Sequence, residues 1–155
     1  MHNVCRAAVA AVLLGTSTLG QADVQLDGAV EYGVFVSQYD NFQPGERVLT
    51  RSNQEIQRTE VIPATLGTKF GLRYTLIGKT EAEQPLTLMY FTPGVITPDG
   101  KRHDKFEVYQ KLVPAAAQDV MAFEFSENHE IVKGTWHFMV FQGDRKLAEQ
   151  RFEVR

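Results

Sequence analysis

Apolar and polar residues alternate with a period of two from Val24 to the C-terminus, and no segment sustains an apolar stripe at 3.6-residue spacing. Successive side chains of a strand point to opposite faces, whereas a helix scatters such a pattern around its axis. The chain is therefore predicted to be all-β. Val24 to Val36 reads as a first strand, with Val30, Tyr32, Val34 and Val36 on one face. Lys69 to Ile77 reads as a second, sending Phe70, Leu72, Tyr74 and Leu76 one way and Arg73 and Thr75 the other. The third is Leu86 to Phe91, the fourth Phe106 to Leu112, and the fifth Val120 to Phe125, whose Met121, Phe123 and Phe125 share a face. The sixth, Thr135 to Gln142, groups Trp136, Phe138 and Val140, and a Gly143-Asp144 turn joins it to the seventh, Lys146 to Val154, as a hairpin.

The links between these runs carry their own signals. Thr92 to Asp104 holds Pro93-Gly94 and Pro98-Asp99-Gly100 and is expected to be turn. Ser37 to Gly67, with Pro44-Gly45, Asn53 and Pro63, is too long for a hairpin loop and has room for a short edge strand. About seven strands, turn signals roughly every 10 residues and a lone Trp on an inner face point to an antiparallel immunoglobulin-like β-sandwich. A closed barrel is the alternative, because strand counting does not separate closure from two packed sheets.

The first 22 residues fit none of this. Arg6, an apolar run from Ala7 to Leu14, and small residues at Gly20 and Ala22 form the three regions of a secretory signal. Cleavage between Ala22 and Asp23 would leave one domain, 23–155, in the periplasm or outside the cell. The apolar run is far shorter than the ~20 residues of a membrane-spanning helix, and no span is expected once the signal is removed. Cys5, the only cysteine, would leave with the signal and precedes the apolar run, which argues against lipid attachment there. The mature part would hold all 16 aromatic residues and 15 Lys and Arg against 19 Asp and Glu, a charge of −4. A core without disulfides is thus within reach. Binding to nucleic acid needs a basic stripe, and the charges here are mixed and dispersed.

Two stretches, TEVIPATLGTKFGLRYTLIG from Thr59 to Gly78 and KGTWHFMVFQGDRKLAEQRFEV from Lys133 to Val154, resemble the bacterial family of domain of unknown function 3859. The likeness runs from Glu31-Tyr32-Gly33 to the last strand and is most specific between Ile62-Pro63 and Gly71. It implies an exported immunoglobulin-like sandwich and supplies no reaction. The motif residues also read as fold punctuation without it. Pro63 biases Ile62 to extended geometry, Gly67 permits a turn, and Phe70 and Gly71 enter the core strand. Gly134 likewise permits a corner ahead of Trp136 and Phe138.

Chemistry-bearing residues are sparse. His103, His129 and His137 lack the i, i+2 or i, i+4 spacing of a local chelate, so a copper or zinc site would need the fold to gather them. Met89, Met121 and Met139 could supply soft ligands, although Met121 belongs to a core face. Ser37, Ser52 and Ser126 lie in no Gly-x-Ser-x-Gly elbow, and His129 near Ser126 needs a third orienting group. Glu81 and Glu83, or Glu127 and Glu130, read as solvated loop carboxylates. No cofactor motif appears, and neither an enzyme nor a resident metal is expected.

What remains is surface. Phe35, Met89, Phe91, Met139 and Phe141 oppose the main apolar series. Either the long 37–67 connection covers them, which its length favours, or they form an exposed patch for a partner, an envelope protein or a second copy. The expected function is an exported binding module. A periplasmic metal-binding protein is the alternative, and a hydrolase the third.

Overall fold

The structure, a computed structural model, describes residues 23–37, 43–45, 54–80 and 84–155. The signal-like segment, Ser52, Glu81 and Glu83 lie outside the described residues. Two sheets pack face to face. In the first, β2 (Ile56–Gln57), β1 (Gln25–Phe35), β4 (Lys69–Ile77) and β7 (Asp119–Glu124) lie in that order, all antiparallel. In the second, the order is β3 (Val61–Ile62), β9 (Arg145–Val154), β8 (Gly134–Gln142), β5 (Leu86–Ile96) and β6 (Arg102–Gln110), with only β3–β9 parallel. This is a sandwich and not a closed barrel, because β7 and β6 end their sheets without pairing to each other. No helix among the described residues is long and apolar enough to cross a membrane.

The alternation fixes which faces meet. Phe70, Leu72, Tyr74 and Leu76 of β4 and Trp136, Phe138 and Val140 of β8 are all buried in the core. Phe70 sits at its centre, with ring centroids of Phe138, Phe125, Phe152 and Trp136 at 5.2, 5.3, 5.3 and 5.7 Å. The Trp136 indole N–H would be costly to bury unpaired, and it donates to the Val132 carbonyl at 2.9 Å. The β8–β9 hairpin closes at Gly143-Asp144 with Gln142 opposite Arg145.

Three sequence expectations change. Among the described residues nine strands form rather than about seven, because the 37–67 connection, which had room for one short edge strand, contributes two, β2 at an edge of the first sheet and β3 at an edge of the second. Their pairing partners, Val34–Phe35 and Glu153–Val154, are distant in sequence, so a two-residue strand leaves no local signal. Pro93-Gly94 is not a turn. β5 runs on through it to Ile96, and the extra residues are absorbed as a bulge between Phe91 and Val95. A proline in a bulge owes the ladder no N–H. The Arg102 guanidinium donates to the Pro93 carbonyl at 2.9 Å and lies where a Gly94 Cβ would be. The real turn is at Thr97–Lys101, so β6 starts at Arg102 and not Phe106. Finally, β1 ends at Phe35, leaving Val36 exposed.

The Ile62–Gly71 motif joins the two sheets. Ile62 is buried on β3, and Ala64 and Arg155 exchange partners with the chain ends there, Ala64 N–H to Arg155 O and Arg155 N–H to Ile62 O. Gly67, at φ 86°, then turns the chain to bond Phe125 and enter β4. Gly71 is a matter of close approach, since a Cβ there would lie 2.0 Å from the Met121 carbonyl oxygen of β7.

Candidate functional site

Because Leu88 and Tyr90 of β5 and Phe138 and Val140 of β8 point inward, the residues between them must point outward. Register then assembles a patch. Met89 lies directly opposite Met139, Phe91 opposite His137 and Thr87 opposite Phe141. Met89, Phe91, His137, Met139 and Phe141 are all half-buried, although they sit on the outside of the sheet. The flanking strands supply a polar rim. Glu107, Lys105 and Tyr109 of β6 face Met89, Phe91 and Thr87, and Glu149, Arg151 and Lys146 of β9 face Met139, His137 and Phe141.

The rim charges are tied to one another. Glu149 accepts from Lys146 Nζ at 2.6 Å and pairs with His137 Nε2 at 2.9 Å. These two contacts, Lys146 first, hold its carboxyl below the ordinary range. Glu107 is held low chiefly by the Tyr109 hydroxyl, which donates to it at 2.7 Å, and the same bond pushes the phenol of Tyr109 up. Tyr109 is 71 % exposed and extends the patch toward the edge. Strand parity gives its outward face, but its place opposite Thr87 depends on the β5–β6 register, and the fourth strand is too polar to read as part of an apolar face.

Phe35 does not join them. It lies on the outer side of the first sheet, across the sandwich, and is only 2 % exposed, with Lys69 Nζ 4.7 Å above its ring. Burial pushes the Lys69 ammonium down, with the Glu124 charge opposing. The 37–67 connection is tied at both edges of that sheet, by Gly45 N–H to Ser126 O beside β7 and by Val36 N–H to Glu55 O beside β1. Phe35 therefore lies on a different outer face from Phe91 and Phe141. The described parts of the connection that touch the second sheet run along its β9 edge, not across its outer face.

The polar candidates are dispersed. His103 stacks on Phe106 at 5.2 Å, with Nε2 3.2 Å from Thr97 Oγ1. His129 sits in a 3-10 turn, Asn128–Glu130. Ser126 donates to Glu130 Oε1 at 2.9 Å, so its hydroxyl is turned to a carboxylate and not to an imidazole. Met121 is in the core. Among the described residues, no three His, Cys, Asp or Glu side chains come together.

Sequence reasoning missed two features. Lys79 Nζ meets Asp119 Oδ2 at 3.0 Å with both side chains nearly sealed, 4 % and 3 % exposed, and Lys79 also donates to the Ala116 carbonyl. Asp119 shares parity with Met121, Phe123 and Phe125, which was the available signal for an inward carboxylate. Opposite it in register, the Tyr74 hydroxyl is buried without a partner, and burial followed by the Asp119 charge raises its pKa. The second feature is an open cleft of about 700 Å³ between β7 and the β5–β6 edge, lined by Leu88, Tyr90, Gln110, Val120 and Phe123. The Tyr90 phenol, pushed up to about 12 by burial, donates across it to the Ala122 carbonyl at 3.2 Å.

The sequence profile described as domain of unknown function 3859 matches residues 23–154, the whole sandwich. The chain belongs to this family. It is also similar to a crystal structure of an immunoglobulin-like protein from Pseudomonas aeruginosa, with 60 % identity over 88 % of this chain and 99 % of that one and a TM-score of 0.77. An alkylpurine DNA glycosylase of Pseudomonas fluorescens bound to DNA overlaps at 21 % identity, covering 62 % of this chain and 28 % of that one, but its TM-score of 0.36 carries no argument. No curated protein matches. The domain of unknown function 3859 fold is thus an immunoglobulin-like sandwich, and the family description assigns no reaction.

Proposed function

We propose that this chain is an exported, non-enzymatic immunoglobulin-like module that binds a protein of the cell envelope through the outer face of its second sheet. One observation carries the reading: Met89, Phe91, Met139 and Phe141 form a contiguous apolar centre ringed by Lys105, Glu107, Lys146, Glu149 and Arg151. An apolar centre with a polar rim is the anatomy of a protein–protein interface. Methionine and aromatic side chains add adaptable, polarisable contact area. Export is supported by the signal pattern of the first 22 residues.

The test is retention of partners from the native envelope by the wild-type chain, by Phe141→Asp and by Val61→Asp, a control at an exposed apolar residue on the far edge strand. An envelope protein should be retained by the wild type and the control and lost with Phe141→Asp, while thermal unfolding of the variant stays cooperative. Retention that is indifferent to Phe141→Asp, or no retained protein at all, contradicts it.

A further inference from the structure

The fold gathers three of the six candidate soft and imidazole ligands on one patch and leaves the others elsewhere. Met89 and Met139 are directly opposed on neighbouring strands, which puts their Cβ atoms about 5 Å apart. His137 is two residues before Met139 on the same face, about 7 Å along the strand. Its imidazole does not stand over its own register partner, Arg151. Its Nε2 meets Glu149, the register partner of Met139, at 2.9 Å.

The contact engages one of the two ring nitrogens. The tautomer that donates Nε2–H to Glu149 would leave the Nδ1 lone pair for a metal, on a side chain that is only 15 % exposed. A carboxylate that orients an imidazole and fixes its tautomer is the usual outer partner of a metal-binding histidine. Two thioethers and one imidazole, without a carboxylate or thiolate among them, form a soft set. Such a set selects a monovalent soft cation over Zn²⁺.

We infer that Met89, Met139 and the Nδ1 atom of His137 form a surface site for Cu(I), with Glu149 as the positioning residue. The inference goes beyond the docking role and uses the polarity of the face differently. Replacing methionine by leucine removes the sulfur but keeps the apolar volume, so the metal site can fail while partner retention stands, and the reverse.

The experiment is anaerobic competition for Cu(I) between the full chain and the chromophoric chelator bicinchoninate. Cys5→Ser serves as the background, so that the one thiol does not compete. One equivalent of Cu(I) per chain is expected. Met89→Leu and Met139→Leu should each weaken binding by more than tenfold, and Glu149→Gln by about ten- to a hundredfold, the usual cost of losing an orienting outer partner. His103→Ala and His129→Ala should leave it unchanged. A measurement that needs no variant in the site follows methionine methyl groups labelled with carbon-13 as Ag(I) is added, where the Met89 and Met139 signals should move and that of buried Met121 should not. No competition with the chelator, binding untouched by either leucine substitution, or dependence on only one of the two methionines would overturn the site.

Discussion

At the residue scale, Trp136 and the Lys79–Asp119 pair show how differently two buried groups stabilise the sandwich. Trp136 touches Phe70, Phe123 and Phe125 and satisfies its N–H at Val132, so truncation leaves a cavity among rings that already interlock. Trp136→Ala should cost about 3–5 kcal/mol in denaturant unfolding, and the wild-type indole should emit well to the blue of indole in water. Emission like that of free indole would place Trp136 outside. Asp119→Ala strands the Lys79 ammonium in a sealed pocket and should cost about 3–5 kcal/mol, because an unpaired buried charge loses its solvation without compensation. The paired change Lys79→Met with Asp119→Leu should recover most of that loss. If the single and double variants are equally unstable, the ion pair itself and not the stranded charge supports this end of the sandwich.

At the scale of elements, legibility tracked how locally each strand is specified. The β4 strand was plain because its two faces differ sharply, with Phe70, Leu72, Tyr74 and Leu76 against Arg73 and Thr75, and the β8–β9 hairpin was plain because its turn lies within the sequence it joins. The continuation of β5 was hidden because Pro93-Gly94 has the chemistry of a turn, and what keeps it in the sheet is Arg102, nine residues away. Parity put Phe35 off the core but could not say that its outer face belongs to a different sheet from that of Phe141. For the same reason the Met89–Met139 juxtaposition was invisible, since it depends on the β5–β8 register. Register also makes Gly71→Ala a sharp test: with 2.0 Å to the Met121 carbonyl, the variant should separate β4 from β7, seen as fast amide exchange along β7 and a lower melting temperature. Unchanged exchange would mean that β7 shifts cheaply. The β1–β4 pair carries a pH signature as well. Arg73 donates to Glu31 at 2.7 and 3.0 Å, and this hydrogen-bonded pairing holds the Glu31 carboxyl below its ordinary 4.5. A carboxyl with a lowered folded pKa contributes stability that is full above the unfolded value and lost as pH falls through the folded one. Melting temperature should therefore drop below pH 4.5, and Glu31→Gln should drop less over that window; parallel curves would remove Glu31 from the acid sensitivity.

At the scale of the whole molecule, the two outer faces differ in what they offer. The first carries Phe35 in a covered position beside Lys69, while the second presents Met89, Phe91, Met139 and Phe141 with Tyr109 at its flank. If export follows the signal pattern, intact mass from the native cell should give a chain starting at Asp23, and a soluble cytoplasmic species retaining Met1 would contradict it. The most direct measurement of the docking claim places a photo-crosslinking phenylalanine analogue at position 141 and, separately, at position 35, and irradiates living cells. A discrete crosslink to an envelope protein is expected from position 141 and none from position 35. A crosslink from position 35 alone, or silence from position 141 in folded protein, would contradict it.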